Sequence, residues 1–394
     1  MPCDTPGVKT TDSITADWWN RGPLLSECLR SHRFQINAIR LALAIVVIVY
    51  HIQVNRIGGG PVVLPSLHPY GQAVAGTLAV GAFFSLSGMM VTISARHRSG
   101  GQYLLARLLR IAPAYIVVLV VSAVVLAPII YYDLHHSFDG FKLFAPKGPI
   151  AYVINDAALS LSTWRWGILD VFQAIPGNNP QPFSIINGSL WSIPVEVRCY
   201  VIALLLVIVG RRVGGTTAMV AGAAIFGFAT IAYHLRPELV VSIAPDFLAP
   251  IFYQWVLVFL CGAIAGTLAD RIRLTPLVSV VVVCVFAALM IWGGHNATLL
   301  AYASCCLVIP VVARWIPRRI VRIFRNDVSY GTYLWGFPVS QTLAYMGLVA
   351  YPALFIGGAI AVSIAIATIS WVAIERPALR LKPPASLSAR PTRG

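Results

Sequence analysis

The chain has 394 residues, 58% of them hydrophobic and 11% charged, with a mean hydropathy of +0.78. Soluble domains carry about 25% charged residues, so the composition excludes a soluble enzyme with a single anchor and points to an all-α, polytopic integral membrane protein. The net charge of +15 is accounted for by the positive-inside rule and anionic lipid headgroups, without a nucleic-acid partner.

Residues 1–33 are polar, carry charges of both signs and contain no apolar run of signal-peptide type, so they read as a cytoplasmic tail. Ten spanning helices are predicted: 36–54, 72–94, 111–130, 189–209, 216–234, 250–269, 275–293, 297–313, 328–346 and 351–373. With the N-terminus inside, the inner loops receive Arg96, Arg98, Arg107, Arg110, Arg211, Arg212, Arg271 and Arg273, then the Arg314–Arg325 cluster. The outer loops hold only Arg56, Lys142, Lys147, Arg165 and Arg236. That asymmetry requires an even number of spans with both termini cytoplasmic. The domain plan is a tail over 1–33, a membrane domain over 34–375 and a tail over 376–394, with no appended soluble domain. Residues 131–188 form one long periplasmic loop, in which 150–164 reads as a short re-entrant or interfacial helix. The seven cysteines form no CxxC and no Cys/His cluster of metal spacing, so neither disulfides nor a metal site is expected.

The first helix carries Arg40 and His51. Eleven helical steps end about 20° from the starting direction, so both side chains share one face, about 16 Å apart along the axis. Ionisable groups inside a membrane are costly and line polar paths. The imidazole suits a general base at neutral pH. In the second helix, Gly81, Ser85 and Gly88 make a small-residue stripe suited to close helix packing, and Ser87 lies off it, toward a cavity. Arg107 and Arg110, at the start of the third helix, share a face and can grip phosphates through fork-shaped hydrogen bonds or serve topology alone. Ser189, Ser192, Glu196 and Tyr200 share a face of the fourth helix, and the Glu196 carboxylate should meet the same polar interior as His51. Arg198 points elsewhere, with no evident partner. Trp164, Trp166 and Trp191 flank the outer mouth, as interfacial belt residues or a sugar platform. Asp327 or Ser329 can cap the ninth helix, and Pro338 should kink it and free a carbonyl.

In this order the motifs resemble the membrane-bound acyltransferase-3 family, bacterial glycan O-acyltransferases, from about Phe34 to Arg380. They are Arg-x10-His at Arg40 and His51, Phe-Phe-x-x-Ser-Gly at 83–88, Arg-x-x-Arg at Arg107 and Arg110, Ser-Leu-Trp-Ser-x-x-x-Glu at 189–196, Ser-Tyr-Gly-x-Tyr at 329–333 and Glu-Arg-Pro at 375–377. One departure is Asn37, where the family often has Asp; this removes a possible salt-bridge partner of Arg40. The chain also lacks the C-terminal periplasmic esterase-like domain of some members.

The resemblance implies an O-acetyltransferase of the bacterial inner membrane. Acyl-CoA, most often acetyl-CoA, would be co-substrate, with no permanently bound cofactor, and a carbohydrate or glycolipid hydroxyl would be acceptor. Arg107 and Arg110 would hold the CoA phosphates, the pantetheine arm would pass Arg40, and the thioester would lie near His51. Glu196 would orient His51 or bind the sugar, close to His51 in either role. An acyl-histidine intermediate is the alternative route. Ser87, Trp191 and Tyr330 are candidate oxyanion donors, and Ser189 a further cavity residue. The acceptor spans O-antigen, exopolysaccharide, lipid-linked and peptidoglycan sugars and small macrolide-like molecules. The competing class is a proton-coupled transporter or flippase, which the same buried ionisable residues would serve.

Overall fold

A computed structural model describes residues 21–54, 74–159, 167–168, 171–172, 184–236, 238, 250–292 and 295–383. Trp164 and Trp166 lie outside the described residues. A short helix, α1 (Leu25–Ser31), precedes α2 (Arg33–Val54), α3 (Val74–Arg96) and α4 (Gly100–Val121). A π-helical segment, Ser122–Leu126, carries α4 on into α5 (Ala127–His135). Then come α6 (Pro149–Ala157), a two-residue antiparallel pair, β1 (Gly167–Ile168) and β2 (Ser184–Ile185), and a 3-10 turn, Gly188–Trp191. The chain continues through α7 (Ser192–Val213), α8 (Gly215–Leu235), α9 (Pro250–Thr267), α10 (Pro276–Trp292), α11 (His295–Trp315) and α12 (Ser329–Tyr345). It ends in α13 (Pro352–Ser370), continued through a second π-helical segment, Trp371–Glu375, into α14 (Arg376–Arg380).

Among the described residues, seven helical runs are long and apolar enough to cross a membrane: Arg33–Gln53, Ala75–Arg96, Gly100–His135, Gly188–Val213, Gly215–Tyr233, Ala297–Trp315 and Pro352–Arg380. Two shorter apolar helices, Phe252–Thr267 and Pro276–Ile291, accompany them. Each of the ten predicted segments is therefore helical, and the protein is an all-α membrane protein. The tenth, α12, has 17 residues and is almost wholly buried, between α2 and α13. Several of its polar side chains are tolerated because they find partners. Ser340 Oγ donates to the Gly336 carbonyl at 2.7 Å, and Gln341 Nε2 donates to the Ile185 carbonyl at 2.8 Å. The carbonyl freed by Pro338 is that of Leu334, four residues back. Asn187 Nδ2 donates to it at 2.9 Å, which pins the turn before α7 to the core.

The small-residue stripe of α3 packs as expected. A β-carbon on Gly88 would stand 1.9 Å from the Phe259 carbonyl oxygen, and one on Gly262 would stand 1.9 Å from that of Ser85. The α3 and α9 backbones thus touch across reciprocal glycines, as membrane helices do when small residues let them approach. Ser85 Oγ donates to the Ala303 carbonyl at 2.7 Å and accepts from Cys306 N at 2.9 Å, which adds α11.

Three boundaries differ from the sequence reading. The third helix begins at Gly100 rather than near 111, because Ser99 and Gln102 form a reciprocal capping box. Arg107 and Arg110 therefore stand inside the helix. The expected tail contains α1, which docks on the α9–α10 connection: Leu25 N donates to the Ile272 carbonyl at 2.9 Å and Ser26 N to that of Ala269 at 3.1 Å. The long loop begins only after His135 and holds α6, tied to α4 by a 2.8 Å bond from the Tyr115 hydroxyl to the Asp156 carbonyl.

Candidate active site

A cavity of about 410 Å³ opens between α2, α3, α4, α7 and α12, with the segment after α14 at its mouth. Of the residues singled out from sequence, Arg40, Ser87, Arg107, Arg110, Glu196 and Tyr330 line it. His51, Ser189 and Trp191 do not.

The basic end of the cavity is built on Asp327. Arg40 Nη1 and Arg110 Nη2 both donate to its Oδ2, at 2.6 and 2.8 Å. Its Oδ1 accepts from the Ser329 hydroxyl and backbone N, so the expected helix cap is also present. Arg110 Nη1 reaches Glu375 Oε2 at 3.3 Å. Two cations and two anions join α2, α4, α12 and the end of α13 in one network. Burial pushes the Asp327 carboxyl up, but Arg40, Arg110 and the Ser329 donors outweigh it and hold the group below its ordinary range. The substitution of Asp by Asn37 therefore leaves Arg40 paired after all. Asn37 itself donates to the Phe324 carbonyl at 3.2 Å. Aromatic rings flank the network: Arg40 lies over Phe83 at 5.9 Å and Arg110 over Tyr330 at 5.6 Å.

The middle of the cavity is organised by Glu196. Ser87 Oγ donates to Glu196 Oε1 at 3.2 Å, and the Tyr200 hydroxyl donates to the same oxygen. Oε2 carries no hydrogen bond among the described residues. Arg107 lies over the Tyr200 ring at 5.8 Å, and its Nε is buried without a hydrogen-bond partner. The two arginines expected to act as a pair thus differ: among the described residues, Arg110 is matched by carboxylates and Arg107 is not. Lys382, beyond α14, completes the mouth. Burial, with Arg107, Arg110 and Arg98 nearby, pushes its ammonium down to about 8.

Ser192, Ile193 and Tyr333 also line the cavity. The Tyr333 hydroxyl bonds Ser192 Oγ at 2.7 Å and the Ser189 carbonyl at 2.9 Å, and the Phe83 ring stands 6.2 Å from that of Tyr333. One turn further along α12, Phe337 packs edge-on against His51 at 5.2 Å and against Gly188. Glu196 lies four residues from Ser192 along α7, and Phe337 lies four residues from Tyr333 along the oppositely directed α12. About 12 Å of helix rise therefore separates the levels of Glu196 and His51. The expected closeness of these two groups is corrected: aromatic side chains stand between them.

Two oxyanion or cavity candidates are also corrected. Trp191 packs against Trp255 at 5.8 Å, in an aromatic cluster that includes Phe84 and Tyr302. Ser189 is buried, its carbonyl taken by Tyr333 and its N–H by Asn187 Oδ1 at 3.1 Å. Tyr330 lines the cavity but gives its proton to the Ile111 carbonyl at 3.1 Å. Arg198 Nη1 donates to the Pro194 carbonyl at 3.1 Å, away from Glu196. Sequence reasoning missed Asp327 and Glu375 as ion-pair partners and Lys382 as a cavity residue. A carboxylate in the last apolar run should have raised the question of Glu375's partner; no sequence signal marked Lys382.

An arginine-lined cavity inside an all-helical bundle with membrane-crossing helices defines an integral membrane protein with an internal site. The model of the acyltransferase-3 family, described as an acyltransferase domain, matches residues 33–375, and the chain belongs to that family. It is a membrane acyltransferase, and membership in an enzyme family displaces the transporter reading. Nodulation protein 10 of Rhizobium leguminosarum bv. viciae is 28% identical over 329 residues, which cover 79% of this chain and 84% of that relative. No solved structure matches the chain.

Proposed function

We propose that the protein transfers an acyl group, in the first instance acetyl, from cytoplasmic acyl-CoA to a hydroxyl of a glycan or glycolipid on the outer side of the bacterial inner membrane. The observation that carries this is the cavity itself: a passage with unmatched cations at one end and a single polar cluster in its middle. An elongated donor with phosphates at one end and a thin amide-bearing arm suits that distribution. Arg107 meets the phosphates, while Arg40 and Arg110 shape the wall through Asp327. The free Oε2 of Glu196 accepts from an amide N–H of the arm, so Glu196 serves the donor. The arginine asymmetry supports ten spans with both termini cytoplasmic, which places the basic end inside.

The thioester then points outward, past Tyr333 and Phe337, toward His51. The His51 imidazole takes the proton of the acceptor hydroxyl as its oxygen attacks the thioester carbon. The tetrahedral intermediate collapses with breakage of the C–S bond, and the imidazolium returns the proton to the departing thiolate. Ester and free CoA thiol are the products.

The test is release of free thiol from acetyl-CoA by the purified protein in membranes, supplied with cell-envelope glycan as acceptor. Wild type is expected to turn over. His51→Ala should lose turnover while still binding donor, and Arg107→Ala should raise the donor KM by about tenfold. A folded wild type that neither binds nor consumes acetyl-CoA would sink the reading.

A further inference from the structure

The charges around the cavity do not balance, and the imbalance is localised. Arg40 and Arg110 are matched by Asp327 and Glu375. Arg107 and Lys382 also line the cavity, and among the described residues no carboxylate pairs with either. Arg98 stands behind them: its Nη1 bonds Ser94 Oγ, and its Nε is buried with no partner, as is that of Arg107. Burial first, and Arg107 second, push the Arg98 guanidinium down. Three like charges gathered in a partly buried mouth repel one another and favour an anion of more than one charge.

Lys382 follows α14 by two residues, whereas Arg107 stands about two turns into α4, so the two cations come from different elements. The CoA donor carries its diphosphate between the arm and a ribose, and a phosphate monoester on the far side of that ribose. With the thioester directed at His51, the diphosphate falls toward Arg107 and the monoester stays at the mouth. A phosphate monoester bears nearly two negative charges at neutral pH, the strongest match for a clustered ammonium and guanidinium.

We infer that Lys382, backed by Arg98, forms the subsite for the terminal phosphate monoester of the donor and makes the enzyme select full CoA thioesters over carriers that lack this group. The inference rests on the acyl-CoA reading above. The experiment compares KM and kcat for acetyl-CoA and acetyl-3′-dephospho-CoA in wild type, Lys382→Met and Lys382→Arg, with membrane insertion checked for each. Wild type should favour acetyl-CoA by about tenfold, through KM rather than kcat. Lys382→Met should collapse the ratio of the two KM values toward one, and Lys382→Arg should restore it. An active wild type without that preference, or a Lys382→Met variant that keeps it, overturns the inference and leaves the acyl-CoA reading standing. A wild type that uses and binds neither donor overturns both.

Discussion

One carboxylate oxygen, Asp327 Oδ2, accepts from two arginines on two helices. Removing one partner from a partly buried ion pair leaves an uncompensated charge, which costs about 3 kcal/mol or more. Asp327→Asn leaves Arg40 without its carboxylate, while Arg110 keeps Glu375, and is expected to lower the thermal stability of the purified protein by that order, while Asp327→Glu recovers part of it. A second residue-scale expectation concerns Lys382, faced by Arg98, Arg107 and Arg110. Its ammonium is pushed down from 10.5 to about 8, so the empty folded protein loses this proton before the unfolded chain does. Between those values the unfolded state binds more protons, and stability contributed by this site rises with pH. In the proposed donor subsite binding would run the other way, because the Lys382 charge is lost above about 8. KM for acetyl-CoA measured from pH 7 to 9 should climb in wild type and stay flatter in Lys382→Arg. A flat wild-type profile would count against a titrating lysine in the donor mouth.

At the scale of elements, the tightest joint is the crossing of α3 and α9. A β-carbon at Gly262 meets backbone rather than a movable side chain, so the helices must part to admit it. Gly262→Ala should cost about 1–3 kcal/mol by overpacking. Gly101→Ala is the control: an added β-carbon there meets nothing within 4 Å, and thermal unfolding should show no loss. The helices themselves were legible in the sequence because apolar length is a strong signal. The Gly81–Gly88 stripe and the carbonyl freed by Pro338 were legible too, each through a local rule. What was not legible is which distant residue answers a local need. Arg40 called for an anion, and the nearest candidate position held Asn37; its partner lies 287 residues on, at Asp327. Nor does spacing reveal that Glu196 and His51 occupy different levels, because depth depends on how α7 and α12 are set against each other.

For the molecule as a whole, the described helices gather these polar groups along one cavity. Tyr333, Phe83 and Phe337 form an aromatic layer between the Glu196 side of that cavity and His51. Its consequence is electrical. In the proposed topology the cavity faces the inner compartment, and part of the membrane voltage would fall across this layer. Moving a unit charge through such a layer is worth about 2.3 kcal/mol per 100 mV. An uncharged thioester crosses it without that work, whereas a phosphate or a proton does not. On the proposed donor reading, the layer would favour an uncharged thioester over a charged group, so the reactive end could be transferred while the membrane stays energised.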